Sequence, residues 1–539
     1  MKTIYQNAVV YTGALPFVEA FVVEEDRFIY AGTREGAMAH YEPGDVCEDL
    51  HGAFVCAGFH DSHMHLLGYG QTLQSAPLHQ HTESLAEMLC CLREHAERNP
   101  GGWILGRGWN QDYFRDTPRM PTRWDLDQVS GDRPVCAVRA CGHALAVNSC
   151  ALKILGITTD TISPEGGEIG RTDGEPNGLF FDNAMDLVYQ AFAAPDRESV
   201  KQILRAACRA LNQYGVTACQ SDDYCVFSAL PWQEVNAAFR ELEAAGELSV
   251  RVYEQCNFSG SDDLRAFLEA GNVTGRGSDF FRIGPLKLLG DGALGPRTAY
   301  LSAPYADAPD TCGIPVFSQE TFDEMISLAH ENGMQTAVHA IGDACLDRVL
   351  GAMERAMAKT PREDPRHGIV HCQITRPDQL ERIAALGLHV YAQSIFLDYD
   401  TGIVEARVGA ERATSSYSWK SLMRRGVTVS NGTDAPVEQP FALGGIQCAV
   451  TRQNLAGTVA PYLPGEAFTV QEALLSYTAA SARACFAEDR MGRIKPGMLA
   501  DFVVLGENPF SVPPQEIHRI PVQRTYVGGT LVYRGDSAS

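Results

Sequence analysis

Residues 54–65, FVCAGFHDSHMH, point to the fold class because an apolar run leads directly into a pair of histidines. The run Phe54 to Phe59 is short and apolar, which predicts a buried β-strand. His63 and His65 follow two positions apart, and side chains along a strand alternate between its faces. Both imidazoles are therefore expected on one face, where one divalent ion could contact both. His60 is an odd number of positions from His63 and is expected to face away as a non-ligand.

The pattern of an apolar run that ends in polar residues recurs from about residue 210 onward. Between the runs lie stretches with helical spacing, such as Thr321 to Asn332 and Asp378 to Leu386, each followed by a glycine. Alternating strands and helices predict a parallel sheet of the α/β class. With the first strand, the recurring runs make a (β/α)8 TIM barrel. They are Gly215 to Asp223, Leu248 to Cys256, Phe281 to Asp291, Gln335 to Asp343, His367 to Thr375, His389 to Phe396 and Val427 to Asp434.

The spacing of the runs also predicts the domain organisation. The first two strands are about 150 residues apart, although a βα unit needs about 30, so an insertion domain of about residues 70–186 is expected at the barrel mouth. Both ends of the chain alternate in strand fashion around turns. We therefore predict a small β-sandwich formed by both termini, residues 1–56 and 488–539, with the barrel at 57–487.

Composition and charge exclude several classes of protein. The net charge of -23, from 44 basic and 67 acidic residues, opposes binding to nucleic acid or to an anionic membrane. The first residues lack a basic region followed by an apolar run, and no stretch reaches the roughly 18 apolar residues of a membrane span. The 16 cysteines are scattered without a CxxC pair, which favours reduced thiols. A cytoplasmic protein is expected.

Further polar residues close the later strands. His339, His371 and Asp434 each stand at the C-terminal end of a predicted strand, the face on which active sites of such barrels are built. A single buried histidine is most often a core residue, and a His-x-His pair alone fits a structural or surface role as well. Four histidines and one acid at the same face are harder to attribute to packing, so a metal site is predicted.

Lys287 lies inside the apolar strand Ile283 to Leu289, where an unpaired ammonium group is costly. Two interpretations stay open. Lys287 pairs with a carboxylate, for which Asp291 is available. Alternatively, desolvation lowers the pKa of its amine, and reaction with carbon dioxide gives a carbamate that bridges two metal ions.

The order of these residues on successive strands resembles the amidohydrolase superfamily. Within it, the chain is similar to the branch that includes N-substituted formamide deformylases (amidohydrolase family 3). The resemblance covers nearly the full length and is carried by four segments of the barrel and one segment near the C-terminus. These are Phe59 to His65, Lys287 to Gly295, His339 to Asp343, Gly432 to Asp434 and Gly492 to Val504.

The resemblance implies a metal-dependent hydrolase acting on C–N bonds other than peptide bonds. His63, His65 and Asp434 would hold a first divalent ion, His339 and His371 a second, and carboxylated Lys287 would bridge them. Zinc is the default for one or two ions in a histidine-rich site, with iron, manganese or nickel as alternatives. A divalent ion lowers the pKa of bound water towards about 7, and Asp434 would take the proton and return it to the leaving nitrogen.

Other expectations concern the surroundings of the metal. His143 is expected to polarise the carbonyl, Arg297 to anchor substrate and Asp343 to support the ligands, although each equally fits an ion pair or a loop hydrogen bond. The expected substrate is a small-molecule N-substituted or N-acyl amide. Paired barrels are common in the superfamily, so a homodimer is compatible with the resemblance.

Two rival functions remain. An amino-heterocycle deaminase on the same fold generally carries an acid three residues after the strand-five histidine, but that position is Gly342 here. A non-catalytic scaffold with a structural metal would usually have a site closed by four protein ligands, often cysteines. Hydrolysis is therefore the favoured interpretation.

Overall fold

Eight parallel strands follow one another through the chain, and each pairs with the next in one sheet. The computed structural model describes residues 1–81, 83–140, 144–164, 167–192, 194–227 and 229–535. The strands match the predicted order, which confirms a TIM-like fold. We number them β1 (Phe59–Met64), β2 (Val216–Ser221), β3 (Arg251–Asn257), β4 (Phe281–Leu289), β5 (Thr336–Ala340), β6 (Gly368–His371), β7 (His389–Ala392) and β8 (Val429–Asn431).

The two edge strands of this sheet come together, so the barrel is nearly closed. The backbone N–H of Asp434 donates to His63 O at 2.8 Å, and the N–H of His65 donates to Ala435 O at 2.8 Å. A Cβ atom at Gly432 would lie 2.5 Å from His63 N, so only glycine permits this approach of β8 to β1. The ends of both strands are thus fixed relative to each other.

Helices with one apolar face follow the strands. In Gln319–Glu331, Ser318 caps the N-terminus and the buried residues Phe322, Met325, Ile326 and Ala329 recur at helical spacing. The other helices of this part of the chain are Arg197–Gln213, Trp232–Ala244, Ser261–Glu269, Asp343–Lys359, Pro377–Ala385, Leu397–Asp400, Val404–Ala413, Trp419–Arg424, Ala442–Thr451, Val470–Ser476 and Ala479–Ala484.

Of two further sheets, one is built from N-terminal strands only and the other combines strands from both ends of the chain. Phe21, Phe502 and Tyr526 belong to a core cluster that draws on both sheets. The β-sandwich predicted here, with its boundaries, stays a prediction. One sheet contains Lys2–Gln6, Ala20–Glu24, Arg27–Gly32 and Val46–Asp49, with the helix Arg34–Met38 near it in sequence. The other contains Val9–Tyr11, Phe54–Ala57, Phe502–Leu505, Val522–Val527 and Thr530–Arg534.

The chain divides into two units, of which the second comprises Leu67–Ala206 and Phe227–Leu230. This second unit has its own six-stranded sheet and its own core, in which Trp109 is fully buried and donates to Ala137 O at 2.9 Å. Its strands are Ala76–Pro77, Ile104–Trp109, Val135–Arg139, Ala144–Val147, Gly167–Thr172 and Glu175–Asp182. The helices in this stretch of sequence are Leu66–Leu73, Leu85–Arg98, Arg123–Leu126, Ser149–Leu155 and Asp186–Tyr189.

The insertion boundaries near 70 and 186, and the place of the insertion at the barrel mouth, stay predictions. Among the described residues, no helix combines the length and apolar character needed to cross a membrane.

Candidate metal centre

Three predicted ligands converge at the C-terminal ends of the barrel strands. His63 at the end of β1, His371 at the end of β6 and Asp434 just after β8 each offer a ligand atom, and these atoms lie within 4.8 Å of one another. All three residues are buried. His63 Nε2 lies 3.3 Å from Asp434 Oδ1. Residues far apart in sequence therefore present two imidazoles and one carboxylate to a common point.

Two glutamines fix the direction of the histidine rings. His63 Nδ1 lies 2.6 Å from Gln255 Oε1, and His371 Nδ1 lies 2.7 Å from Gln393 Oε1. Because an amide oxygen only accepts, each Nδ1 carries the ring hydrogen and each Nε2 keeps its lone pair. The sequence analysis missed both glutamines. The available signal was an amide side chain within or next to an apolar strand, since both are fully buried.

His65 approaches the same carboxylate from a second side. Its Nδ1 lies 3.0 Å from the backbone oxygen of Asp222, and its Nε2 lies 3.1 Å from Asp434 Oδ1. The Nδ1 hydrogen is therefore committed to Asp222, and in a neutral ring the Nε2 lone pair faces the carboxylate. The Nε2 lone pairs of His63 and His65 then each lie about 3 Å from Asp434 Oδ1, with no hydrogen between them and the carboxylate. A divalent cation fits this donor set, because imidazole nitrogen and carboxylate oxygen are its common ligands.

The charges of these groups depend on burial and on one another. Burial, with His339 and His63 adding to it, lowers the pKa of His371 well below its usual range, so that ring is neutral. Burial disfavours the ionised carboxyl of Asp434, but the neighbouring imidazoles of His63 and His65 outweigh it and hold its pKa well below the usual range. For His65, burial lowers the pKa and the bond to Asp434 raises it, with a net rise to about 9. Without a cation, a proton on His65 takes its place.

The backbone is unusual at two of the three ligands. His371 has φ 73° and Asp434 has φ 58°, both in the left-handed region that residues other than glycine rarely adopt. Such conformations cost about 1–3 kcal/mol each and cluster at functional sites. The surrounding bonds maintain them: Trp419 Nε1 donates to His371 O at 2.9 Å, and Asp434 N donates to His63 O at 2.8 Å.

Lys287 is fully buried in β4, and the carboxylate beside it is that of Asp222, not that of Asp291 as the sequence suggested. Its Nζ lies 3.5 Å from Asp222 Oδ2, which also accepts from Asn257 Nδ2 at 3.1 Å. Asp291, the carboxylate considered for this pairing, instead accepts backbone N–H bonds from Tyr300, Ile341 and Gly342 at 2.8–3.1 Å. The reason is position: Asp291 follows the end of β4 and faces the loop after β5.

His339 stands next to these ligands but outside the group of three. Its ring centroid is 4.5 Å from that of His371, while its Nε2 lies 3.0 Å from Gly292 O and 3.3 Å from Asp291 Oδ1. If Nε2–H donates to that carbonyl, Nδ1 keeps a lone pair. Its role as a ligand of a second ion stays a prediction.

The remaining predicted residues lie elsewhere or cannot be placed. His143 lies outside the described residues. The Arg297 guanidinium donates to Asp307 through Nε at 3.0 Å and Nη2 at 2.9 Å. This contact is the ion pair that the sequence analysis considered as the alternative to anchoring substrate. Asp343 accepts a hydrogen bond from the backbone N–H of Ser302 at 2.9 Å and forms an ion pair with Arg376. These contacts are the loop hydrogen bond and ion pair considered as alternatives to a role beside the metal ligands.

Comparison with known proteins identifies the family and agrees with the barrel fold. Residues 47–533 match the family described as the amidohydrolase family. The protein YtcJ of Bacillus subtilis (strain 168) is 34% identical, with 99% of each chain covered. N-substituted formamide deformylase of Arthrobacter pascens is 28% identical, over 96% of this chain and 95% of that protein. A metal-dependent hydrolase of unassigned function from Pyrococcus horikoshii OT3 has a solved structure with TM-score 0.80 and 29% identity, covering 95% of this chain and 99% of that one.

The fold and the donor set are those of a metal-dependent hydrolase. The chain belongs to the amidohydrolase family.

Proposed function

We propose that the protein hydrolyses the C–N bond of a small-molecule amide other than a peptide, an N-substituted or N-acyl amide. The observation that supports this most is the convergence of Nε2 of His63 and His65 on Asp434 Oδ1, at 3.3 and 3.1 Å, with their Nδ1 atoms already bonded to acceptors. A divalent ion bound there would polarise water and the amide carbonyl. His63, His65, His371 and Asp434 are the residues that would hold it.

Asp434 has the second task in this proposal. Its carboxylate accepts the proton of the attacking water and returns it to the leaving nitrogen, since the amine must leave protonated. Gln255, Gln393 and the Asp222 backbone oxygen hold the three rings so that their lone pairs point towards the carboxylate. The chain thus supplies a fixed ligand set and a proton acceptor at one point.

Lys287, His339 and His371 form the second part of the proposal. Lys287 is a buried amine with one weak carboxylate contact, at 3.5 Å, so a carbamate on its Nζ would face the same acid-lined end of the barrel. Carboxylated Lys287 would bridge a first and a second ion, the second held by His339 and His371. Zinc is the metal we propose, because imidazoles dominate the donor set.

The substrate class draws support from one relative. The Arthrobacter pascens protein, 28% identical along nearly the full length, is named N-substituted formamide deformylase. A product pair of an amine and a small carboxylate is therefore proposed for this protein too.

The test combines metal analysis with product analysis. Metal-replete protein is incubated with a panel of N-substituted formamides and N-acyl amines, and the amine and carboxylate are quantified by mass spectrometry. We expect both products in equal amounts, abolished by chelation and restored by zinc. A second panel of amino-heterocycles tests for deamination. Release of ammonia from these compounds, without hydrolysis of the amides, would indicate a deaminase. Bound metal without turnover of either panel would indicate a scaffold.

A further inference from the structure

The barrel closes at the seam between β1 and β8, which are the two edges of the eight-stranded sheet. Backbone hydrogen bonds cross this seam from Asp434 N to His63 O and from His65 N to Ala435 O, both at 2.8 Å. Three of the proposed ligands therefore belong to the seam, with His63 and His65 on one side and Asp434 on the other. Whatever fixes the seam also sets the distances between these ligands.

The side chain of Asp61 bridges the same seam. Asp61 lies in β1 and is 1% exposed. Its Oδ1 accepts from Thr433 N at 3.1 Å and from His63 N at 3.2 Å. Its Oδ2 accepts from Thr433 N at 3.2 Å and from the Thr433 hydroxyl. One buried carboxylate therefore binds both the residue before Asp434 and the backbone of a histidine ligand.

The Thr433 hydroxyl extends this network past Asp434. It donates to Asp61 and also accepts from Ala435 N at 3.4 Å. Thr433 and Ala435 are the two chain neighbours of Asp434, so the backbone on both sides of this ligand is linked to Asp61. The packing leaves the carboxylate little freedom to move, because a Cβ atom at Gly432 would lie 2.7 Å from its Oδ1.

Asp434 needs such support because of its backbone conformation. Its φ of 58° lies in the left-handed region, which residues other than glycine rarely adopt. Strained conformations persist only where the surrounding structure over-determines them. Relaxation of this segment would move the carboxylate, whose Oδ1 is 3.3 Å from His63 Nε2 and 3.1 Å from His65 Nε2. Because zinc binds nitrogen and oxygen ligands at about 2.0–2.2 Å, a shift of the backbone would lower the metal affinity.

We propose that Asp61 is a positioning residue of the metal centre, which acts through Thr433 to hold the backbone of Asp434. With Asp61 in place, the Asp434 carboxylate stays within reach of the histidines at the end of β1. The proposal rests on the proposed function in one respect, namely that a divalent ion binds at Asp434. A carboxylate that served only the stability of the fold would leave zinc affinity unchanged in any variant that folds.

The decisive variants change Thr433, whose side chain carries the link. Thr433→Val removes the hydroxyl and nearly keeps the volume, whereas Thr433→Ser keeps the hydroxyl. Thr217→Val is the matched control, since Thr217 is 1% exposed and its hydroxyl donates to Phe59 O at 3.4 Å, at the start of β1. Competition with a chelating dye measures the affinity of the full-length protein for zinc alone. Circular dichroism and the thermal midpoint verify that each variant is folded.

We expect zinc affinity to fall by about tenfold in Thr433→Val, the lower end of the loss typical for residues that hold metal ligands. Thr433→Ser should bind zinc like the wild type, and so should Thr217→Val even if its thermal midpoint falls as far. In hydrogen–deuterium exchange of the metal-free protein, the peptide that contains Asp434 should exchange faster in Thr433→Val than in Thr217→Val. Wild-type zinc affinity in folded Thr433→Val would overturn the proposal, as would an equal loss in Thr217→Val or equal exchange in both.

Asp61→Asn tests the carboxylate itself. The amide replaces one acceptor oxygen with an NH2 group, which would face the donors of Thr433. Because the two residues act as one unit, the variant with both Asp61→Asn and Thr433→Val should lose little more zinc affinity than either single variant, and additive losses would overturn the proposal. Should Asp61→Asn fail to fold, Thr433→Val remains decisive.

The same measurements separate this proposal from the proposed function. Wild-type protein that binds no zinc would refute the metal centre and the role of Asp61 together. Zinc binding that depends on Thr433, without hydrolysis of any amide, would count against the proposed function alone.

Discussion

Gln255 holds the ring of His63 from the side opposite Asp434: its Oε1 is 2.6 Å from His63 Nδ1, while His63 Nε2 is 3.3 Å from Asp434 Oδ1. Gln393 does the same for His371, at 2.7 Å. Two ligands on different strands are thus oriented by the same device. Partners of this kind fix the tautomer of a metal-binding histidine and raise its affinity.

Gln255→Leu is expected to weaken metal binding by about 10- to 100-fold, because His63 Nδ1–H loses its acceptor and the ring is free to rotate. Competition with a chelating dye measures the affinity. Gln515→Leu, at an exposed position, is the control. Unchanged affinity in Gln255→Leu would mean that this bond does not orient His63 for metal binding.

Asp434→Asn should lower kcat by about 10³-fold, since a neutral amide cannot take the proton of water. The side chain keeps its size, so the thermal midpoint should stay near that of the wild type. Steady-state assays on the best substrate of the panel check this, with Asp310→Asn, an exposed acid, as the matched control. Full activity in Asp434→Asn would refute the proton transfer assigned to this residue.

Gly432→Ala should destabilise the protein by about 1–3 kcal/mol through overpacking. Its Cβ would lie 2.5 Å from His63 N and 2.7 Å from Asp61 Oδ1, so β8 would have to move away from β1. Denaturant unfolding measures the free energy, and Gly465→Ala, whose Cβ would meet nothing within 4 Å, is the control. Metal affinity should fall as well, because Asp434 follows two residues later. Equal stability of both variants would argue against the close approach of the two strands.

Asp400→Asn should stabilise the protein more at pH 7 than at pH 4. Burial raises the pKa of Asp400 from 3.8 to about 6, although Tyr417 donates to its carboxylate at 2.8 Å. The folded state therefore binds the proton more tightly than the unfolded state, and wild-type stability falls as the pH rises between these two values.

The asparagine has no such titration, so its advantage over the wild type should grow by up to about 3 kcal/mol across this window, at about 1.4 kcal/mol per pKa unit. Urea unfolding at pH 4 and pH 7 measures both proteins. Asp310→Asn, at an exposed position, is the matched control, and an advantage of Asp400→Asn that is equal at both pH values would contradict the prediction.

The barrel could be predicted from the sequence because each strand is an apolar run that ends in polar residues. The convergence of His63, His371 and Asp434 followed from the geometry of such a barrel. The partners Gln255, Gln393 and Asp222 could not be predicted. Their contacts depend on the register between neighbouring strands and on ring direction, which the sequence does not reveal.

For Lys287, the sequence offered a partner, Asp291, that the structure does not place beside it. Asp291 is four residues away in sequence, but its oxygens are taken by backbone N–H groups beyond the strand end, so the pairing falls to Asp222 at the end of β2. Proximity in sequence was a poor guide here because β4 ends between Lys287 and Asp291.

The most direct measurement is anomalous diffraction at the zinc absorption edge from crystals grown with the metal. The account predicts a peak within bonding distance of His63 Nε2, His371 Nε2 and an Asp434 carboxylate oxygen, with His65 beside it. A peak elsewhere, or side chains that fill that point in metal-loaded crystals, would contradict it.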